Sequence, residues 1–161
     1  MLNREYEGQN CSIASALEVV GERWTLLIVR DVFLGLRRFD QLQESLGIAR
    51  NVLTDRLNRL IEEGILERVL YTDRPERYEY WPTQKGRDLL LPLTALMQWG
   101  DKYLSEKPAT LLRRKSDKKP IIAALVPKAT SSVPIEETEI VAGPGRNTKD
   151  SPWRLLTPGP D

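Results

Sequence analysis

Residues 48–66 read IARNVLTDRLNRLIEEGIL. Leu53, Leu57, Leu60 and Ile61 recur at helical spacing, which predicts an amphipathic helix with one buried stripe. Gly64 follows the last turn and predicts its stop, because glycine enters the left-handed terminal conformation without steric cost. The opposite face carries Asn51, Asp55, Asn58, Arg59 and Glu62, with Arg50, Thr54 and Arg56 on the flanks. Side chains that reach, donate and accept are dense in the first two turns. What lies on either side decides what such a face is for.

Upstream, Arg38–Leu46 predicts a short helix with Phe39 and Leu42 inward, and Gly47 makes the turn into the opening helix. Before it, Arg23–Leu34 is a strongly apolar helix whose Trp24, Leu27, Ile28, Val32, Phe33 and Leu34 make it the expected centre of the core, ended by Gly35. Ser12 is expected to cap a helix over Ile13–Val20, which Gly21 breaks; residues 1–10 are expected to be loose. Helix, tight turn and helix, with a polar face on the second, is the arrangement of a helix-turn-helix reader.

Downstream of Gly64 the apolar period changes from 3.6 to 2. Glu67–Tyr71 and Arg77–Trp81 read as antiparallel strands with Tyr78 and Tyr80 on one face, joined by the turn-formers Thr72–Glu76. A hairpin directly after a recognition helix is a wing. Arg74 at its tip and Arg77 beside it suit phosphate or minor-groove contacts, although the same residues could form an ordinary solvated tip. Thr83 should cap a long helix, Gln84–Leu104, kinked at Pro92. Its Leu89, Leu90, Leu93, Leu96, Met97, Tyr103 and Leu104 cover more than one stripe, so it is expected to bury against a second copy. The fold class expected is mainly α with a small β-hairpin: a winged helix-turn-helix with a long C-terminal dimerisation helix.

The 161 residues fit one domain with an appendage. Residues 11–104 form the expected DNA-binding and dimerisation domain. Residues 105–143, richer in Pro, Lys, Thr and Ser, form an extension with short strands at Ile121–Val126 and Glu139–Val141. Residues 144–161 are expected to be a disordered tail. Net charge is +1, so no global basic signal announces nucleic acid. Residues 37–59, however, hold arginines 37, 38, 50, 56 and 59 against Asp40, Glu44 and Asp55, a local positive patch. No apolar run approaches a membrane span and no secretory start is visible, so a cytoplasmic, nucleoid-associated protein is expected. One cysteine and no histidine exclude an internal disulfide, the usual zinc sets and every histidine-dependent triad. No enzyme, metal or cofactor is expected.

Taken in order, these residues resemble the HxlR-type winged helix-turn-helix regulators of bacteria. The resemblance rests on Cys11, on Ala16–Trp24, on Gly35–Leu42 with Arg38-Phe39, on Leu53-Thr54-Asp55-Arg56-Leu57, on Glu62–Ile65, and on Tyr80, Thr83, Gly86 and Trp99-Gly100. It implies a dimeric DNA-binding repressor or activator, often answering an inducer. Arg50, Asn51, Thr54 and Asp55 are the expected base readers, with Ala49 leaving room beside them. Arg38, Arg56, Arg59, Arg74 and Arg77 are the backbone and wing candidates, with pairing of Arg56 to an acidic neighbour as its alternative. Cys11 matches a cysteine that senses oxidants or electrophiles in some relatives; as a residue by itself it reads first as a small buried apolar group, because cysteine is among the most buried residue types. Trp24, Trp99 and Phe39 could line a ligand pocket or simply fill the core.

Three departures stand out. Asp55 is a carboxylate where many relatives have a neutral or basic residue; it repels phosphate but can accept from cytosine. Pro82 ends a strand. Leu111–Arg114 and Gly143-Pro144-Gly145 resemble a longer relative's cysteine-bearing extension, but residues 105–145 have no cysteine, so no zinc is expected. The expected partners are double-stranded DNA, a second copy, and a small-molecule or redox inducer, with no membrane. The competing class is a winged-helix module that binds protein and not DNA.

Overall fold

The computed structural model describes residues 11–127, 131–142 and 144. The expected loose residues 1–10 and all but the first residue of the expected disordered tail lie outside these. Four helices come first: α1 (Ser12–Val20), α2 (Thr25–Phe33), α3 (Phe39–Leu46) and α4 (Arg50–Glu62). A hairpin follows, β1 (Leu66–Asp73) and β2 (Glu76–Pro82), then α5 (Gln84–Arg87) and α6 (Leu90–Tyr103). A second two-stranded sheet pairs β3 (Thr110–Arg114) with β4 (Thr138–Ala142).

One apolar core holds the first part together. Ile28, Val29 and Val32 of α2 meet Leu42 of α3, Leu53, Leu57 and Leu60 of α4, and Ile65 and Leu66 at the root of the wing. α2 is therefore the central helix, but it starts later than its apolar run suggested. Trp24 caps it at φ 79°, a left-handed backbone that an α-helix cannot pass through. Its ring packs against the core, and the Arg23 guanidinium lies 5.0 Å over it. Ser12 is the first helical residue and not the cap; Cys11 holds the cap position, and its carbonyl accepts from the Ser15 amide and hydroxyl. Gly47 turns α3 into α4 at φ 62°, and Gly64 closes α4 at φ 66°, both as their positions demanded.

The wing is longer than its hydrophobic alternation. Pairing runs from Leu66 opposite Pro82 to Asp73 opposite Glu76, with an irregularity between Leu70 and Thr72. Only Arg74 and Pro75 remain as the turn. A further strand-like contact comes from the segment before α3: Arg38 bridges Glu79, and the Tyr80 amide donates to the Arg37 carbonyl at 2.8 Å.

The long helix expected over Gln84–Leu104 is two helices. The break falls at Asp88-Leu89, not at Pro92, which sits in the first turn of α6 where a missing N–H leaves nothing unpaired. Thr83 fixes α5. Its hydroxyl accepts from the Gly86 amide (3.1 Å) and donates to the Gly64 carbonyl (2.6 Å), tying the end of the wing to the end of α4. Thr83→Ala removes the cap and the tie, and is expected to lower stability by about 1–2 kcal/mol in urea unfolding, with Thr83→Ser close to wild type.

In the extension, Thr138–Ala142 covers the expected strand at Glu139–Val141. Ile121–Val126 does not form a strand, and Thr110–Arg114 takes the place beside β4. The following chain turns back on β3 through the Lys118 amide to the Arg114 carbonyl, the Arg114 amide to the Lys119 carbonyl, an Arg113–Pro120 bridge and a bond from the Ile121 amide to the Leu112 carbonyl. Pro120 has no N–H to extend that ladder. The Ala123 amide instead donates to the Gln98 side chain of α6 at 2.6 Å.

Candidate nucleic-acid interface

α4 stands with its Leu53, Leu57 and Leu60 side sealed and its polar side in solvent. Arg50, Asn51, Thr54, Asp55 and Asn58 are all exposed. The Arg50 guanidinium lies 4.6 Å over the Phe39 ring, which holds it at the N-terminal end of the helix against α3. The Thr54 hydroxyl donates back to the Arg50 carbonyl at 2.9 Å. Asn51 and Asp55 have no side-chain partner among the described residues, so their hydrogen-bonding capacity faces outward unspent.

The arginines divide into two groups. Arg56 is engaged: its guanidinium is 2.6 Å from Glu22 and donates to the Arg23 carbonyl, clamping α4 to the turn before α2. The alternative of an acidic neighbour is thus the arrangement present. Arg59 pairs with Glu63 one turn on, at 2.8 Å. Arg38 bonds Glu79 at 3.2 Å and stacks 4.4 Å over Tyr71. Arg50, Arg74 and Arg77 make no ion pair among the described residues and are exposed. Their charge is the least neutralised and the most available to a polyanion.

Two sets of residues escaped the sequence. One joins the wing to α3. Arg37 stacks 4.4 Å over Trp81 while Arg38 stacks over Tyr71, so consecutive arginines each hold an aromatic ring of the hairpin, one from each strand. Burial pulls the Arg37 pKa below its ordinary value, against the pull of Glu79. The available signal was the pair of arginines before a helix and aromatic residues on alternating wing positions.

The other set lies behind the reading helix. Asp31 is completely buried in α2, between Val29 and Val32. Arg30 Nε donates to its Oδ1 at 2.7 Å, with Nη2 at 2.6 Å, and the Ser45 hydroxyl of α3 donates to Oδ2 at 2.6 Å. Desolvation raises the Asp31 pKa, and Arg30 and Ser45 oppose that rise. An acidic residue inside an otherwise apolar stripe was its sequence signal.

Cys11 is exposed in the single chain, at the N-terminal end of α1. Trp24 and Phe39 pack on the core and Trp99 is 57% exposed, so the three do not converge on a pocket. Among the described residues no group of His, Cys, Asp and Glu is placed to hold a metal ion, and no helix is long and apolar enough to cross a membrane.

A helix-turn-helix whose second helix is exposed along one face, followed by a clamped arginine-tipped hairpin, defines a winged-helix DNA-binding protein. The HxlR-like helix-turn-helix family model matches residues 19–108, and the chain belongs to that family. It is 52% identical over 114 residues to the uncharacterized HTH-type transcriptional regulator Rv3095 of Mycobacterium tuberculosis, spanning 70% of this chain and 71% of that one. The crystal structure of PA1607 superposes with a TM-score of 0.67 at 36% identity, covering 77% of this chain and 88% of the other. The reduced form of the transcriptional regulator YodB from B. subtilis matches at a TM-score of 0.50 and 28% identity, covering 60% of this chain and 96% of that one. The protein is a DNA-binding transcriptional regulator.

Proposed function

We propose that the protein acts as a homodimer on a palindromic operator, with the two α4 helices in successive major grooves about one helical turn apart. The observation that carries this is the exposed N-terminal half of α4, where Arg50, Asn51, Thr54 and Asp55 face solvent with Arg50 steadied by Phe39. These four read base edges; Arg74 and Arg77 of the wing meet the backbone. Arg38, Arg56 and Arg59 act mainly by holding α3, α4 and the wing in place, and reach phosphate at most with the remainder of their donors. The dimer reading draws on apolar surface with no cover in one chain: Ile13 on α1, and Leu91, Leu96, Trp99, Tyr103 and Leu104 on or beside α6, are each more than half exposed. The protein is a regulator and not an enzyme, and this reading places its work on chromosomal DNA in the cytoplasm.

Footprinting on the DNA upstream of its own gene, followed by affinity measured against salt, tests the reading. A protected palindrome with a steep negative salt slope is expected; a flat slope would leave a protein-binding module instead. Arg50→Ala is expected to lose about 1–3 kcal/mol at one base pair of each half-site if the contact is bidentate to guanine. Equal loss on every sequence would assign Arg50 to phosphate.

The signal is proposed to be an oxidant or electrophile acting at Cys11, or a small molecule. Support for the first is the exposed thiol and the likeness to YodB, a regulator whose structure is described in a reduced form. Diamide is expected to release wild-type protein from its operator and to leave Cys11→Ser bound. Release of both alike removes Cys11 from the response.

A further inference from the structure

We propose that the cavity between α2, α6 and the β3–β4 sheet is an effector site for a small amphipathic anion: an aromatic or medium-chain carboxylate. The proposal rests on the regulator reading above and gives its small-molecule signal a place. The cavity measures about 440 Å³, within the range of sites that enclose a single small ligand. Leu27, Phe33, Leu93, Met97, Leu112 and Ile140 supply an almost wholly apolar lining from all three elements. That lining fixes the body of the ligand as hydrocarbon.

Its polar groups fix the head. The Thr94 hydroxyl is already committed to the Leu90 carbonyl at 2.7 Å. Thr110 adds a neutral hydroxyl, and among the described residues Arg30 is the only charged one on the wall. Its Nε and Nη2 hold Asp31, but Nη1 has no partner among the described residues, and the side chain is 37% exposed. A planar cation with a spare N–H at the edge of an apolar cavity selects an oxygen acceptor, and a carboxylate over a neutral one.

The same arginine links the cavity to the reader. Arg30 holds Asp31, and Asp31 holds Ser45 near the end of α3, two residues before the Gly47 turn into α4. A ligand carboxylate on Arg30 competes with Asp31 for one guanidinium. Asp31 is completely buried, so any loosening of that pair is answered by its other partner, Ser45. The helix-turn-helix is thereby biased by what occupies the cavity, through two hydrogen-bonded contacts and not through the wing or the dimer face.

Calorimetric titration of the full chain with 2-naphthoate, without DNA, tests the site. One molecule per chain is expected, bound at least fivefold more tightly than neutral 2-naphthol. Leu27→Trp and Met97→Trp each bring an indole into the cavity from a different helix, at wall positions that are not fully buried and that the dimer reading does not use. Each is expected to weaken naphthoate binding at least tenfold with an unchanged far-ultraviolet spectrum. No binding at millimolar naphthoate, or binding unchanged in both folded variants, overturns the site; equal affinity for naphthol overturns the anionic head. In the second arm, saturating naphthoate is expected to shift operator affinity at least threefold in wild type. Ser45→Ala should bind naphthoate normally but lose that shift. An unmoved operator affinity in naphthoate-bound wild type overturns the link to α3. Because the titration needs no DNA, failure of the DNA reading and failure of the cavity are told apart.

Discussion

Arg30→Met should be among the most damaging single changes in this chain, costing about 2–4 kcal/mol at neutral pH in urea unfolding. The substitution keeps the apolar stem and removes the charge that faces Asp31, which is completely buried. Breaking a buried pair from one side costs about 3–5 kcal/mol, because the remaining charge is left without compensation. The lower figure reflects the partial exposure of Arg30 and the Ser45 hydroxyl that stays on Asp31. The pH dependence identifies the cause. Burial already holds the Asp31 pKa above its unfolded value, so the folded state binds the extra proton. Its contribution to stability is present below the unfolded value of 3.8 and declines as pH rises through the raised folded value. Removing Arg30 removes one of the influences lowering that pKa, so the window widens upward. The deficit of Arg30→Met is therefore expected to shrink on going from pH 7.5 to pH 4. A deficit independent of pH would point to lost packing along the stem and not to the carboxylate.

Gly86→Ala is expected to cost about 3 kcal/mol, although alanine is the better helix former. A Cβ at position 86 would overlap the carbonyl oxygen of Ile65, and backbone cannot give way as a flexible side chain can. The carbonyl is held in place by the Thr83 amide at 3.0 Å. Ile65 and Leu66 are core residues at the root of the wing, so displacing them opens the core beneath α4 as well. Overpacking of this kind costs about 1–3 kcal/mol or more. The check is a thermal melt together with operator affinity: both should fall. A melt unchanged from wild type would show that α5 can lift off the wing at no cost.

Much of the reading surface was legible because it depends on local rules. The leucine spacing of α4, the two glycines that bound the turn and the wing, and the switch from helical to alternating period are each stated within a dozen residues. The base-reading candidates followed, since the face opposite a buried stripe must be exposed. The roles of the arginines were not legible. Arg56 meets Glu22 from 34 positions away, and Arg38 meets Glu79 from 41 away. No pattern along the chain announces which cation will find which anion. The failure over Gln84–Leu104 has a different cause. Propensity allowed a continuous helix, but α5 is pinned to the end of the wing by Thr83 and Gly86, and the chain must turn before α6 can lie on α2.

The sequence by itself determined the order of elements as far as the wing, the buried face of each helix in the first half, and the exposed face of α4, because these follow from periodicity and from where glycine permits a turn. Tertiary structure decided which arginines remain free for a polyanion, that Cys11 lies in solvent, and that Asp31 sits buried behind the reader with Arg30 and Ser45. Those outcomes depend on distances between residues far apart in the chain. Charge pairing and burial are set by such distances, and composition and spacing do not contain them.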